Sequence, residues 1–283
     1  MLSNLKGYHR PKSIAEALAL LEKNSGTILV IAGGSNLVRS HNETVQELVD
    51  ISSLRLNYIK EDVGLIRVGA TTPIQELIEN PKISNLSDGI LTAAAFQSYY
   101  SRMIRNVATI GGELVQSNPL SVLYCALLVL QAQVRIAGGE EFALAMNIFL
   151  NKKGLNGGLL VEVLIPKMAD RTYAALSTIQ PDPKSPPIIA ACSRLTLHKG
   201  LCRNVKIGVT ATAKIPQRMQ EAEIQLEEQR LSNANIESAA ETVYDTYQPI
   251  SDHLAGEEYR KEVVRLVVKK ALNTCLELAE EDL

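Results

Sequence analysis

Two short glycine segments, about seventy-five residues apart, constrain this chain more than any other feature. They are Ile31-Ala32-Gly33-Gly34-Ser35-Asn36 and Ala108-Thr109-Ile110-Gly111-Gly112-Glu113. The first follows the apolar run Thr27-Ile28-Leu29-Val30, and the second follows the basic stretch Arg102-Met103-Ile104-Arg105-Asn106. A Gly-Gly pair has no Cβ, so its backbone reaches positive φ and comes close to a ligand. Successive exposed N–H groups in such a bend form a concave site for an anion such as a diphosphate. Two such bends suit the two ends of one dinucleotide. Each alone is also an ordinary tight turn. The first lacks the third glycine of Gly-x-Gly-x-x-Gly, and neither carries the Gly-Lys-Ser/Thr of a P-loop.

The rest of the sequence narrows the class. At 283 residues with 46% hydrophobic residues, the chain can bury a substantial core and build more than one domain. A net charge of −2 gives no global field for nucleic acid or an anionic membrane. Cys125, Cys192, Cys202 and Cys275 lack the close spacing of zinc or iron–sulfur ligands, and His9, His41, His198 and His253 are equally scattered. The expectation is reduced thiols, no metal site and a cytoplasmic location. Met1 to Lys6 has no apolar signal core, and the apolar stretch Val122–Leu130 is too short to span a bilayer.

Periodicity predicts the elements. Pro11 opens a helix to residue 24, with Ile14, Ala17, Leu18 and Leu21 on one face. Strands are expected at 27–31, 45–51, 65–69, 133–136 (closed by a turn at Ala137-Gly138-Gly139-Glu140), 158–165, 188–197 and 203–211. Thr71-Thr72-Pro73 marks a helix entry. Helices are expected at 87–103, 119–132, 217–229, 235–246 and 257–279. Gln180 to Pro187 holds four prolines and is a loop. A boundary is placed near 167–185.

With these residues in view, the chain resembles the FAD-binding subunit of the molybdenum hydroxylases, the family of the xanthine dehydrogenase flavin subunit and the carbon monoxide dehydrogenase medium subunit. Ala32 to Ser35 resembles its Ala-Gly-Gly-Thr/Ser turn. Ile104 to Gly112 resembles its Ile-Arg-Asn-x-Ala-Thr-Ile-Gly-Gly segment. Val68-Gly69-Ala70-Thr71-Thr72 is similar to its Gly-Ala-x-Thr element, and Ile250-Ser251-Asp252 with Glu258-Tyr259-Arg260-Lys261 to its Asp…Tyr-Arg signature. The likeness runs through essentially the whole chain.

The resemblance implies an α+β fold: a two-subdomain PCMH-type (vanillyl-alcohol-oxidase-like) FAD-binding domain over 1–168, with subdomains about 1–56 and 57–168, then a small α+β C-terminal domain over 172–279. It implies FAD held by Val30, Ile31, Ala32, Gly33, Gly34, Ser35, Asn36 and Leu37 on one side, and by Ala108, Thr109, Gly111, Gly112 and Glu113 on the other. It also places Tyr99 and Leu160 at the cofactor, although Tyr99 reads equally well as a core tyrosine. It implies a large molybdopterin subunit, a small two-iron two-sulfur subunit, and NAD or another electron acceptor. No catalytic side chain is indicated.

The chain departs from the family pattern at three positions: Glu113 replaces an asparagine, Val122 an aspartate, and Ser177 falls near a customary lysine. Two other readings therefore stay open, a flavin-free scaffold subunit and a stand-alone flavin reductase. A non-flavin nucleotide module would leave the second bend and the C-terminal likeness unexplained.

Overall fold

The computed structural model describes residues 4–23, 26–37, 43–138, 143–146, 155 and 157–282. In chain order the first elements are β1 (Gly7–His9), α1 (Ile14–Lys23), β2 (Ile28–Ile31), β3 (Glu47–Asp50), β4 (Ile59–Asp62), β5 (Leu65–Gly69) and α2 (Ile74–Glu79). Next come α3 (Pro81–Ser84), α4 (Ile90–Ser98), α5 (Arg102–Arg105), α6 (Ile110–Val115) and α7 (Val122–Val129). There follow β6 (Gln133–Ala137), β7 (Leu144–Ala145), β8 (Leu159–Pro166), β9 (Thr172–Ile179), β10 (Ile189–His198), β11 (Leu201–Val209) and β12 (Gln217–Arg218). The last are α8 (Gln220–Leu226), α9 (Asn233–Thr246) and α10 (Glu257–Glu281). The chain divides into two compact units. One comprises Met1–Leu77, Ser101–Gln116 and Ala132–Ile165; the other comprises Ile78–Tyr100, Ser117–Gln131 and Pro166–Leu283.

The first unit holds a parallel sheet in the order β1-β3-β2 and a second sheet in the order β4-β5-β8-β6-β7. Helix α1 starts at a capping pair: the Ser13 hydroxyl accepts from the Glu16 amide, and the Glu16 carboxylate accepts from the Lys12 amide. Its apolar stripe, Ile14, Ala17, Leu18 and Leu21, packs with Val49, Leu54, Leu56, Leu159 and Val161. On the larger sheet Glu162 is buried at 1% exposure. Its carboxylate accepts from the Tyr58 hydroxyl (2.7 Å) and Arg67 Nε (2.8 Å) and lies 2.9 Å from Arg135 Nη1. Burial first, then the bond to Glu162, pushes the Tyr58 phenol up to about 12.

The second unit is built on an antiparallel sheet in the order β12-β11-β10-β9. Strand side chains alternate between faces. Val205, Ile207 and Val209 join the core formed with Val264, Val267, Val268, Ala271 and Leu272 of α10 and Ile236, Ala239 and Val243 of α9. Gly208 points to the other face, where a Cβ would lie 2.9 Å from Cys125 Sγ and 3.0 Å from Val129 Cγ1, so its missing side chain makes room for α7. Every residue of α7 is buried.

Some elements differ from the sequence expectation. The helix expected over 87–103 is broken, because Tyr99 leaves α4 with extended angles (φ −143°, ψ 93°) and Ser101 precedes α5. Strands β1, β4 and β9 lack the apolar run or regular alternation that would announce them. Gln217 and Arg218 pair with Val209 and Gly208 before helix α8 begins. Within the turn expected at 137–140, Gly139 and Glu140 lie outside the described residues.

Candidate functional site

Within the first unit, β2 and β3 run parallel and end together, Ile31 opposite Asp50. The Ile31 carbonyl accepts from the Ile51 amide at 2.9 Å, which fixes the strand end. Asp50, 5% exposed, braces the neighbouring end. It accepts from the Tyr8 hydroxyl (2.7 Å) and the Ser52 amide (2.9 Å), and Arg10 Nε stands 3.1 Å away. Burial pushes the Asp50 carboxyl up, but the bonds from Tyr8 and Ser52 and the charge of Arg10 outweigh it and hold it below its ordinary value.

Beyond Ile31 the chain bends away from the sheet. Gly34 takes φ +69°, the left-handed region that favours glycine. Ala32 to Leu37 are all half-buried. Among the described residues, the amides of Gly33, Gly34, Ser35 and Asn36 donate to no protein acceptor. Buried or half-buried N–H groups are nearly always paired. A run of four without partners, at the carboxyl end of a parallel strand pair, is a cradle for an anion.

The second bend is different. The Ile110 amide donates to Thr72 (3.0 Å), Gly111 to Ala70 (2.9 Å) and Glu113 to Thr109 (3.0 Å). Thr109, the N-cap of α6, accepts from the Gly112 amide through its side chain at 3.2 Å. A Cβ on Gly111 would sit 2.7 Å from the Ala70 carbonyl oxygen, so this glycine serves close backbone packing. Gly112 has more room, with only Thr109 Oγ1 near, at 3.0 Å. Glu113 is 5% exposed and stands in the first turn of α6, where its carboxylate suits the helix dipole. Ala108 is buried at 2% and accepts through its carbonyl from Ile74.

The two bends meet. A Cβ on Gly33 would lie 1.5 Å from the Val107 carbonyl oxygen, so no other residue fits there without movement. Arg105, from the basic stretch, is buried, and its Nε donates to Gln75 at 2.7 Å. Val30 lies in β2 and Leu160 in β8, the latter 3% exposed. The adjoining Val161 carbonyl accepts from Ala70, whose own carbonyl accepts from Gly111. Tyr99 belongs to the other compact unit, half-buried at the end of α4. In that unit Val122 is fully buried in α7, and Ser177 is buried in β9 with no partner for its hydroxyl. Sequence reading missed Asp50 and Val107. Their signal was positional: a carboxylate at the end of the strand beside the bend, and a residue whose carbonyl alone matters.

A glycine cradle at the carboxyl edge of a parallel pair, closed by a second glycine bend, defines a dinucleotide-binding protein. Residues 3–168 match the FAD-binding domain of molybdopterin dehydrogenases and residues 184–275 the C-terminal domain of the CO dehydrogenase flavoprotein. The chain is 30% identical over 277 residues to the alpha subunit of the 6-hydroxypseudooxynicotine dehydrogenase complex of Paenarthrobacter nicotinovorans, covering 94% of this chain and 93% of that one. It is 26% identical to the putative xanthine dehydrogenase FAD-binding subunit XdhB of Escherichia coli K12, covering 96% of each. Its fold superposes on carbon monoxide dehydrogenase from Hydrogenophaga pseudoflava with a TM-score of 0.90 at 23% identity, over 98% of this chain and 99% of that one. A second match is reconstituted CO dehydrogenase from Oligotropha carboxidovorans, with a TM-score of 0.87 at 25% identity over 96% and 98%. The chain belongs to the FAD-binding subunit family of the molybdenum hydroxylases. It is an oxidoreductase subunit whose cofactor is FAD.

The residues present fit that cofactor. Four amides without a protein acceptor among the described residues, Gly33 to Asn36, could donate to a diphosphate without any cationic side chain, and Gly34 takes the left-handed turn between them.

Proposed function

We propose that this chain is the flavin link of a three-part molybdenum hydroxylase, standing between an iron–sulfur subunit and an electron acceptor such as NAD. The observation that carries the proposal is the run of amides from Gly33 to Asn36, which have no protein acceptor among the described residues, against the Val107 turn. In this reading the amides hold the diphosphate, and Val30, Ile31, Ala32 and Leu37 flank it. Ala108, Thr109, Gly111, Gly112 and Glu113 form the opposing wall, with Leu160 as a further contact. Because the amides from Ile110 to Glu113 are bonded within the protein, the second bend contributes shape and the first contributes donors. When bound, FAD supplies the redox chemistry, accepting electrons singly or in pairs. The protein's part is to bind, orient and exclude water.

The relatives support the partners of this proposal: one is named as a subunit of a dehydrogenase complex and another as the medium chain of carbon monoxide dehydrogenase. The test is to purify the chain, add FAD, remove the unbound fraction and record the visible spectrum. Retained flavin absorbance, and co-purification with a cysteine-rich and a molybdopterin-binding chain, are expected. Folded protein that retains no flavin would replace this reading with a flavin-free scaffold. A lone chain that binds flavin and oxidises NADH would replace it with a stand-alone reductase.

A further inference from the structure

Away from the glycine bends, the second compact unit buries a cation that forms no ion pair among the described residues. Arg194 of β10 is 9% exposed, and its guanidinium reaches only neutral acceptors. Nη1 donates to Gln131 Oε1 at 2.8 Å and to the Val129 carbonyl at 3.5 Å, while Nε is buried with no partner. Directly across the ladder stands Lys206, whose ammonium donates only to the Val205 carbonyl, at 2.9 Å. Two residues along β11, Gly208 pairs with Arg218, so all three cations lie on one face of the sheet.

The nearby carboxylates are already engaged. Glu223 takes both Nε and Nη2 of Arg218 together with the Ile207 amide. Glu227 accepts from the amides of Asn204 and Val205. Burial, then the neighbouring Arg218, pulls the Arg194 guanidinium below its ordinary value, and the same two causes lead for Lys206. The end of α7 accounts for one nitrogen of Arg194, as a cation at a helix C-terminus. It does not account for burying that cation across the ladder from Lys206, which also has no carboxylate partner among the described residues, an arrangement that costs free energy unless an anion joins the two.

We propose that Arg194 and Lys206, flanked by Arg218, form an oxyanion site, taking a phosphate group or a carboxylate. A planar guanidinium beside a compact ammonium suits two oxygens of one tetrahedral or planar anion. The experiment uses FAD-saturated protein, so that the glycine cradle is filled. Thermal unfolding is followed in inorganic phosphate, in acetate and in chloride at matched ionic strength, for the native chain and for Arg194→Gln and Lys206→Gln.

The native chain is expected to gain several degrees in phosphate over chloride, because an anion bound only by the folded state stabilises it. Both variants are expected to lose that gain while keeping their flavin. Acetate matching phosphate would mark a carboxylate partner, and phosphate alone would mark a phosphoryl ligand. Arg194→Gln should melt no lower than the native chain in chloride, since it relieves cation repulsion. No anion-specific gain in the native chain, or an equal gain in the variants, overturns the site. A variant that melts lower by the same amount in all three salts reduces Arg194 to a helix-end contact. Flavin retention is read separately by absorbance, so this failure is distinguishable from failure of the flavin reading.

Discussion

Gly33 and Gly112 belong to similar-looking pairs but carry different constraints. Adding a methyl group to Gly33 drives it into the Val107 carbonyl at 1.5 Å and forces the bends apart. Gly33→Ala is therefore expected to weaken FAD binding at least tenfold, about 1.4 kcal/mol, with some loss of stability. Gly112→Ala meets only the Thr109 hydroxyl at 3.0 Å, so a small shift accommodates it and the loss should stay within about threefold. Titration of each apoprotein with FAD, followed by flavin fluorescence, separates the two. Equal losses would mean that both bends donate alike. The sequence made the glycines visible because their spacing follows a strand. It could not say which amides are engaged, since that depends on Ala70 and Thr72 arriving from another part of the chain.

Among the elements, α10 depends on one buried charge. Arg260 has 0% exposure; its Nε donates to the Ile188 carbonyl, Nη1 to Ile250, and Nη2 to both oxygens of Asp252 at 2.7 Å. Burial alone would push the Asp252 carboxyl up, but the bonds from Arg260 and from the Leu254 and Ala255 amides hold it below its ordinary value. Arg260→Met strands the Asp252 carboxylate and two carbonyls, and it should destabilise the second unit by about 3–5 kcal/mol in urea unfolding. Arg260→Lys should recover only part, because one ammonium cannot serve three acceptors in a fork. Full recovery by lysine would show that charge, not geometry, holds α10. The pairing was legible as a motif, Asp252 followed by Tyr259-Arg260, whereas its depth was not. Helix α9 was similarly plain from its periodicity, and its cap, the Ser232 hydroxyl accepting from the Asn235 amide, agrees. Strand β9 was missed because its Ala-Ala-Leu-Ser stretch has no strand signature until β10 pairs with it.

At the scale of the whole molecule, titratable groups that keep their protons inside the fold set an alkaline limit. Burial pushes the Cys202 thiol up to about 11 and Cys275 up to about 12 from 9.0, and Tyr124 and Tyr247 also rise well above 10.0. For Cys192 a bond with Cys125 leads and burial follows, in the same direction. The unfolded chain releases these protons first, so stability is complete below about pH 9 and falls as pH climbs toward 12. One fully buried thiol such as Cys275 adds a slope of about 1.4 kcal/mol per pH unit across that window. Urea melts between pH 8 and pH 11 should therefore show a steep loss, and Cys275→Ala should flatten it by roughly that slope after a uniform packing cost. An unchanged slope in the variant would mean that Cys275 gains no proton affinity on folding. Its near neighbour, the Ser193 hydroxyl 3.3 Å from the sulfur, would then be favouring the thiolate strongly enough to cancel the effect of burial.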